Sequence, residues 1–293
     1  MKNTRISLAI FAVAACLGHT TLAAPTLHSL AHLGTSHDLL WPTSNSFASA
    51  FDPSGGYVQT SGSEEIVGPD RNGDERTTTY GGFASANASY GMLKTSISAS
   101  LTNTFYNTAN AANDIPHIYV GAGQATFTDT LRFVGSFLLP TFKVRYTYFV
   151  HGDVTGEAYG ALSVKIGTNN SETLFVNSDD GPLIAQYFTT TTYELNPMLS
   201  HDLRTNFLAG FQEDTKFLAD GSDLSGSADF SSTITMTSIE MFDENNNPFY
   251  DFTIVADSGT IYPAHNAVPE PATIIATGFG LLVCLRRRKQ RRG

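Results

Sequence analysis

Apolar and polar positions alternate along much of the central chain. In TFKVRYTYFV (residues 141–150), every even-numbered residue is apolar, and the odd-numbered residues through Thr147 are polar or charged. The segments ALSVKI (161–166) and TSISASL (95–101) show the same two-residue period. Because successive side chains of a strand point to opposite faces, this pattern predicts antiparallel strands with one buried face and one solvated face.

Segments rich in Gly, Asn, Asp and Ser separate the alternating runs and predict turns. They are HGDVTGE (151–157), GTNNSE (167–172), NSDDGP (177–182) and FDENNNPF (242–249). Many short strands between such turns predict an all-β fold, in which residues 24–266 form one antiparallel β-sandwich of jelly-roll type with roughly twelve strands. Two smaller β domains are the alternative, although no Pro-, Gly- or Ser-rich linker divides the body.

The last of these turns predicts a hairpin between STITMTSIEMF and FYDFTIVA. In the first of these strands, Ile234 and Met236 share one phase of the alternation. The next apolar pair, Ile239 and Met241, shares the opposite phase. Because one extra residue reverses the phase, we predict a β-bulge near Thr237–Ser238.

A few segments suggest other structures. LSHDLRTNFLAGF (199–211) and PTLHSLAHL (25–33) have a weak helical periodicity. The Gly-Ala-Gly sequence at 121–123 lacks the third glycine of a dinucleotide-binding loop, and we expect a flexible hairpin there.

Charged residues make up only 15% of the 293 residues and are distributed unevenly. The chain between Ala24 and Val268 holds nine basic and 26 acidic residues, a net charge of −17, whereas eight basic residues lie at the two ends. Because an acidic body cannot neutralise phosphates, we expect no nucleic-acid partner.

Residues 1–23 have the three parts of a secretory signal peptide. Lys2 and Arg5 precede an apolar run over residues 6–17, and small residues then favour cleavage after Ala23. The apolar run has twelve residues, too few to span a membrane. The sequence therefore predicts that a signal helix directs export of the remaining chain.

The only two cysteines, Cys16 and Cys284, lie in the terminal segments. The body therefore has no disulfide and no thiolate chemistry, and its stability must come from packing. Because VAAC (13–16) resembles a lipobox, a lipoprotein with Cys16 as its first residue is the alternative to simple cleavage.

The body contains no persuasive catalytic motif, such as a G-x-S-x-G elbow, an H-E-x-x-H helix or a phosphate-binding loop. His151 and Asp153 are a conceivable acid–base pair, but a turn at the end of a strand is the favoured interpretation. Neighbouring acids such as Glu64–Glu65 point to opposite faces of a strand. We predict that the protein is not an enzyme, with a secreted hydrolase as the least favoured alternative.

Two segments carry potential metal ligands. His28 and His32 would share one face of a helix and could bind a metal ion there. Asp70–Glu75 places oxygen ligands at alternate positions, as calcium-binding loops do, but its glycine is not at the sixth position and Gly81 stands where a bidentate glutamate belongs. We predict no cofactor and no metal site, with structural calcium as the alternative.

Exposed aromatic residues on a sheet face or loop rim offer a different function, glycan binding. The candidates are Trp41, Tyr80, Phe83, Tyr90, Phe105 and Tyr106. Because most aromatic residues of a sandwich belong to its core, this function stays an alternative.

The chain ends in VPEPATIIATGFGLLVCLRRRKQRRG, which differs from the rest. Each proline of Pro269-Glu270-Pro271 restricts the residue before it to extended conformations, so this motif should be an exposed peptide. Ala272–Leu285 is uncharged, and as a helix it would span about 21 Å, short of the hydrocarbon core of about 30 Å. The basic residues that follow would stay on the cytoplasmic side; they are Arg286, Arg287, Arg288, Lys289, Arg291 and Arg292.

These residues resemble the PEP-CTERM sorting signal, in which a Pro-Glu-Pro motif, a short transmembrane helix and an Arg-rich tail end exported bacterial proteins. The resemblance implies that residues 267–293 form a sorting segment and that a membrane-embedded exosortase cuts near the motif. It also implies that the helix holds the protein in the membrane before processing. The alternative is an ordinary tail anchor. Since proteins with this tail carry unrelated domains, the tail assigns no role to the body.

The resemblance associates the chain with exopolysaccharide and biofilm matrices. We therefore expect an exported bacterial protein that passes through the inner membrane to the cell surface or the extracellular space. Its body should have a non-catalytic structural or adhesive role, with exopolysaccharide as a candidate partner. A glycan-binding, lectin-like module is the alternative.

Overall fold

The computed structural model describes residues 24–36, 45–69, 75–103, 118–135, 141–181, 183–214 and 223–264. Within these ranges the chain is all-β, with fifteen strands and one 3₁₀ turn, Ser178–Asp180. Every pairing of these strands is antiparallel, so the predicted all-β, antiparallel architecture is confirmed for this part of the chain. The signal helix and the C-terminal transmembrane helix lie outside these ranges.

The described strands form two sheets. The seven-stranded sheet comprises β1 (Thr26–Ser36), β2 (Asn45–Asp52), β6 (Ile118–Gly135), β8 (Ala158–Ile166), β9 (Glu172–Asn177), β12 (His201–Asp214) and β15 (Phe252–Ala256). The eight-stranded sheet comprises β3 (Val58–Pro69), β4 (Glu75–Ser89), β5 (Met92–Asn103), β7 (Phe142–Gly156), β10 (Leu183–Thr189), β11 (Tyr193–Leu195), β13 (Asp223–Phe242) and β14 (Pro248–Phe249). Their orders are β2-β1-β6-β12-β8-β9, with β15 also beside β6, and β10-β7-β13-β5-β4-β3, with β11 beside β7 and β14 beside β13.

The inner faces of the two sheets pack against each other as a β-sandwich. In β7, the even-numbered residues from Phe142 to Val154 are buried, whereas the odd-numbered residues are partly or fully exposed, as the alternation predicts. Burying a side chain of the size of Phe contributes about 1.5–3 kcal/mol. The largest fully buried side chains are aromatic: Tyr80, Phe127, Tyr146, Tyr148, Phe207, Phe211 and Phe230.

The two sheets approach each other closely beside β6. The hairpin predicted at 121–123 is wrong, because these residues lie within β6, paired with β1 on one side and β12 on the other. A Cβ atom on Gly123 would lie 2.1 Å from the carbonyl oxygen of Ser85 and 2.6 Å from that of Ser96. Both oxygens belong to the opposite sheet, so any side chain here would force the sheets apart.

Both segments with weak helical periodicity are strands. Residues 25–33 run into β1, and residues 199–211 lie mostly in β12, which pairs with β6 and β8. In β12 the odd-numbered residues from Leu203 to Phe211 are buried. Apolar residues four positions apart suit a helix and a strand equally, and pairing on both sides favours the strand.

The predicted bulge is confirmed, and the predicted turns are confirmed in part. The register between β13 and β7 shifts between Met236 and Ser238, which leaves Thr237 unpaired. After the following turn, β14 pairs with β13 for only two residues, and β15 joins the other sheet. The predicted hairpin is therefore wrong beyond Phe249. The turn predicted at 151–157 is confined to its end, since β7 continues to Gly156, whose φ of 61° lies in the left-handed region.

Candidate functional site

A short segment after β15 connects the two sheets. We call residues 257–264 the C-terminal strap. It begins beside the seven-stranded sheet, where the Asp257 N–H donates to the Thr130 carbonyl at 3.0 Å. It ends beside the eight-stranded sheet, where the Ile239 N–H donates to the Pro263 carbonyl at 2.8 Å. The strap therefore closes one side of the sandwich.

A buried carboxylate holds this strap in place. Asp129 lies in the inward phase of β6 and is 0% exposed. Its Oδ1 accepts hydrogen bonds from the N–H groups of Thr130 (2.9 Å) and Ser258 (3.1 Å). Its Oδ2 accepts from the hydroxyls of Tyr262 (2.8 Å) and Ser258. These bonds offset the desolvation of the carboxylate, and three of the four come from the strap.

Tyr262 is the second anchor of the strap. Its buried ring stacks on Phe127, with 6.4 Å between centroids and 28° between planes. Burial, followed by the hydrogen bond and charge of Asp129, raises the pKa of Tyr262 above its usual value. The hydroxyl therefore stays protonated and keeps donating to Asp129 well into the alkaline range. This cluster is structural, because the donors of the chain itself occupy the carboxylate.

One exposed ring and two half-buried rings lie on the outer face of the eight-stranded sheet. We call Phe149 and His151 on β7, together with Tyr187 on β10, the aromatic patch. Tyr187 is 68% exposed, and its ring centroid lies 5.1 Å from that of Phe149. The rings of Phe149 and His151 stack at 6.1 Å with 25° between their planes. Because Tyr187 stands opposite Phe149 in the register, the three rings form one surface.

Polar groups border the aromatic patch on the side away from the sheet edge. Asp153 follows His151 on the same face of β7 and stands opposite Asp229 of β13. Two residue pairs further, on the same face, Thr155 stands opposite Ser227, with their hydroxyl oxygens 2.8 Å apart. This row borders a depression of about 290 Å³ lined mostly by Ser and Gly. The outer face thus changes from aromatic at His151 to hydroxyl-rich at Thr155, about 13 Å further along β7.

The histidines considered in the sequence occupy strands. His151 and Asp153 lie inside β7, not in a turn, and share its outer face. His28 and His32 also share one face of β1, but four residues of a strand separate them by about 13 Å, too far to ligate one metal ion. Burial lowers the pKa of His32, and burial together with the charge of Arg204 lowers the pKa of His28. Residues 70–74 of the calcium-loop candidate lie outside the described ranges.

Of the six aromatic residues predicted as glycan-binding candidates, the three in the described ranges are buried or half-buried. Tyr80 is fully buried and stacks on Phe211 at 6.2 Å. Phe83 and Tyr90 are half-buried. The other three candidates lie outside the described ranges; they are Trp41, Phe105 and Tyr106.

The sequence does contain signals for the residues that matter in the structure. Phe149 interrupts the polar phase of TFKVRYTYFV, which indicates an aromatic side chain on a solvated face. Asp129 stands between Phe127 and Leu131 in the apolar phase of its own strand, which indicates a buried acid. Tyr187 carries no comparable signal, because IAQYFT shows no clear alternation.

The residues predicted for sorting lie outside the described ranges; they are Pro269, Glu270, Pro271, Arg286, Arg287, Arg288, Lys289, Arg291 and Arg292. Among the residues that the structure describes, no helix has the length and apolar character that a membrane crossing requires. Within the same ranges, the His, Cys, Asp and Glu side chains form no group of three or more that could hold a metal ion.

No protein-family model matches the chain, and no curated protein is similar enough to match it. The function of the body must therefore be inferred from its own residues and their geometry.

Proposed function

We propose that the chain is an exported bacterial protein of the cell surface or extracellular matrix, sorted through residues 267–293. The observation that carries this proposal is the three-part end of the chain: Pro269-Glu270-Pro271, the uncharged stretch Ala272–Leu285 and the basic tail. An exosortase-type membrane enzyme is the partner that processes it. The C-terminal helix holds the protein in the inner membrane until then.

The β-sandwich, in this proposal, has a non-catalytic structural or adhesive role in exopolysaccharide or biofilm. A jelly-roll-like connectivity of the two sheets and a signal helix over residues 1–23 belong to the same proposal. The acidic character of the body supports it, since a net charge of −17 keeps a protein soluble at a negatively charged cell surface.

The position of the strap supports processing after folding. The strap ends at Ala264, and the five steps from there to Pro269 reach at most about 18 Å. A helix in the membrane would therefore keep the folded body close to the membrane surface. Cleavage at the motif would release the body with its strap complete, so that Asp129 and Tyr262 stay bonded.

Mass spectrometry of the protein recovered from the cell surface or matrix tests the sorting proposal. We expect the mature chain to begin at Ala24 and to end within Val268–Pro271, because the tail is removed. A Glu270→Ala variant made in the same cells serves as the matched control and should keep its tail in the membrane fraction. An exported protein that retains Gly293 would contradict the proposal.

A glycan-binding, lectin-like role is the second candidate function. The aromatic patch favours it, because a largely exposed ring next to hydroxyl and carboxylate groups is the combination that carbohydrate ligands require. This role is compatible with the first, since binding to exopolysaccharide would retain an exported protein in the matrix.

A further inference from the structure

The sheet fixes the positions of the rings of the aromatic patch. Tyr187 and Phe149 are cross-strand neighbours, and their planes are inclined by 48°. Ala185 stands opposite His151, and its small side chain leaves the stacked rings of Phe149 and His151 uncovered. Because β7 is paired with β10 and β13 along this stretch, the positions of these rings are fixed by the backbone before any ligand arrives.

The polar groups next to the rings have the right chemistry for hydroxyl groups. Asp153 is exposed, and His151 lies between it and Phe149 on the same strand face. A carboxylate accepts hydrogen bonds from hydroxyls, and an imidazole can both donate and accept. A sugar ring presents an apolar face of C–H groups and a rim of hydroxyls, which matches rings beside such groups.

The negative charge of this face disfavours acidic ligands. Asp153 stands directly opposite Asp229, so two carboxylates lie side by side on the outer face. Like charges in this arrangement repel each other and would repel a uronate or sulfate group still more. The body as a whole also carries a net charge of −17. An uncharged polysaccharide therefore fits this face better than an acidic one.

A protein partner fits the face less well. A stable protein interface buries about 800 Å² on each partner around an apolar centre. Among the described residues of this face, only two large apolar side chains, Tyr187 and Leu183, are mostly exposed, at 68% and 59%. The surface then continues into carboxylates and hydroxyls instead of an apolar centre.

We propose that the aromatic patch is a binding site for an uncharged polysaccharide. Tyr187 and Phe149 stack on the apolar faces of sugar units, and His151 bonds to their hydroxyls. Asp153, about 13 Å along β7 from Phe149, bonds to hydroxyls of a neighbouring sugar of the same chain. The proposal rests on the proposed function, because delivery to an exopolysaccharide matrix brings the body into contact with such chains.

Affinity electrophoresis of the exported protein, through gels that contain a polysaccharide, tests this site. The probes are dextran and soluble cellulose ethers as uncharged chains, alginate as an acidic chain, and the exopolysaccharide extracted from the producing cells. We expect retardation by at least one uncharged chain and none by alginate. Retardation by alginate alone, or by no probe, would overturn the proposal.

Two tyrosine variants then locate the site. Tyr187→Ala should weaken retardation about tenfold or more, as loss of an aromatic anchor does. Tyr57→Ala is the matched control, because Tyr57 is also exposed, at 62%, but directly precedes β3 and lies outside the aromatic patch. Equal retardation of both variants and the parent would overturn the assignment.

Sedimentation of the same variants separates the remaining outcomes. If Tyr187→Ala lowers the mass of the protein in solution and leaves retardation unchanged, the face is a protein interface and the proposal is wrong. Failure of the sorting proposal would show independently, as an unprocessed C-terminus in the mass spectrum, whatever the gels show.

Discussion

The strap and the aromatic patch depart from the usual distribution of residues in opposite directions. At the strap a carboxylate, Asp129, lies fully inside the sandwich. At the patch an aromatic ring, Tyr187, lies mostly outside it. Both arrangements cost free energy, since a buried charge loses its water and an exposed ring keeps water ordered around it.

The two regions differ in where the compensation comes from. Asp129 receives four hydrogen bonds from its own chain. Tyr187 contacts the ring of Phe149 and still leaves 68% of its surface to solvent. The compensated carboxylate is a feature of stability, whereas the exposed ring is where we propose that an external ligand binds. Substitutions at the strap should therefore change unfolding, and substitutions at the patch should change binding.

The largest effect is expected for Asp129→Ala. The substitution removes the acceptor for Ser258 and Tyr262 and leaves their donors buried, so the free energy of unfolding should fall by about 3 kcal/mol. Urea denaturation followed by far-UV circular dichroism measures it. The control is Asp153→Ala on the outer face, which should not lower the free energy of unfolding and should change it by at most about 0.5 kcal/mol. Equal effects of the two substitutions would show that the strap is not held by its carboxylate.

A smaller effect is expected for Tyr262→Phe. The ring and its packing on Phe127 remain, and only the hydrogen bond to Asp129 is lost. Since a bond to a charged acceptor contributes about 1.5–3 kcal/mol, the free energy of unfolding should fall by that amount. Tyr187→Phe is the matched control and should leave stability unchanged, because solvent replaces the partner of an exposed hydroxyl. A loss of stability in the control, but not in Tyr262→Phe, would reverse the roles assigned to the two tyrosines.

The sequence predicts the strands better than it predicts the strap. Alternation over residues 141–150 and the phase change at Thr237 are local patterns, and both appear in the structure as predicted. The apolar spacing of the segment 199–211 fits both the helix period and the strand period, and only pairing with β6 and β8 decides between them. The glycines at 121 and 123 suggested flexibility, whereas the structure uses them for close packing of the sheets.

The two functional regions depend on contacts that no local pattern contains. The strap joins Asp129 to Ser258, 129 residues later in the chain. The patch joins Phe149 to Tyr187 through the pairing of β7 with β10. An acid in an apolar phase and a ring in a polar phase are visible in the sequence, but their partners are not, because the fold alone brings them together.

Alkaline pH should affect the strap through the raised pKa of Tyr262. Above pH 10 the Tyr262 hydroxyl ionises in the unfolded chain but stays protonated in the folded chain. Its contribution to the free energy of unfolding is therefore complete below pH 10 and is lost as the pH rises. The loss should amount to about 1.4 kcal/mol for each pH unit above 10. Urea denaturation between pH 9 and 11.5 should therefore give a shallower decline for Tyr262→Phe than for the parent. Parallel declines would mean that Tyr262 ionises equally in both states.

The smallest change in stability is expected for Asp153→Asn, and its sign is the most informative. Asp153 and Asp229 face each other across β7 and β13, so removing one charge should raise the free energy of unfolding by about 0.5 kcal/mol. The gain should shrink in 1 M salt, which screens exposed charges. If Asp153 bonds to sugar hydroxyls, the same variant should bind the uncharged polysaccharide more weakly, since an amide is a poorer acceptor. A variant that is both more stable and a better binder would mean that the carboxylate pair serves neither the fold nor the ligand.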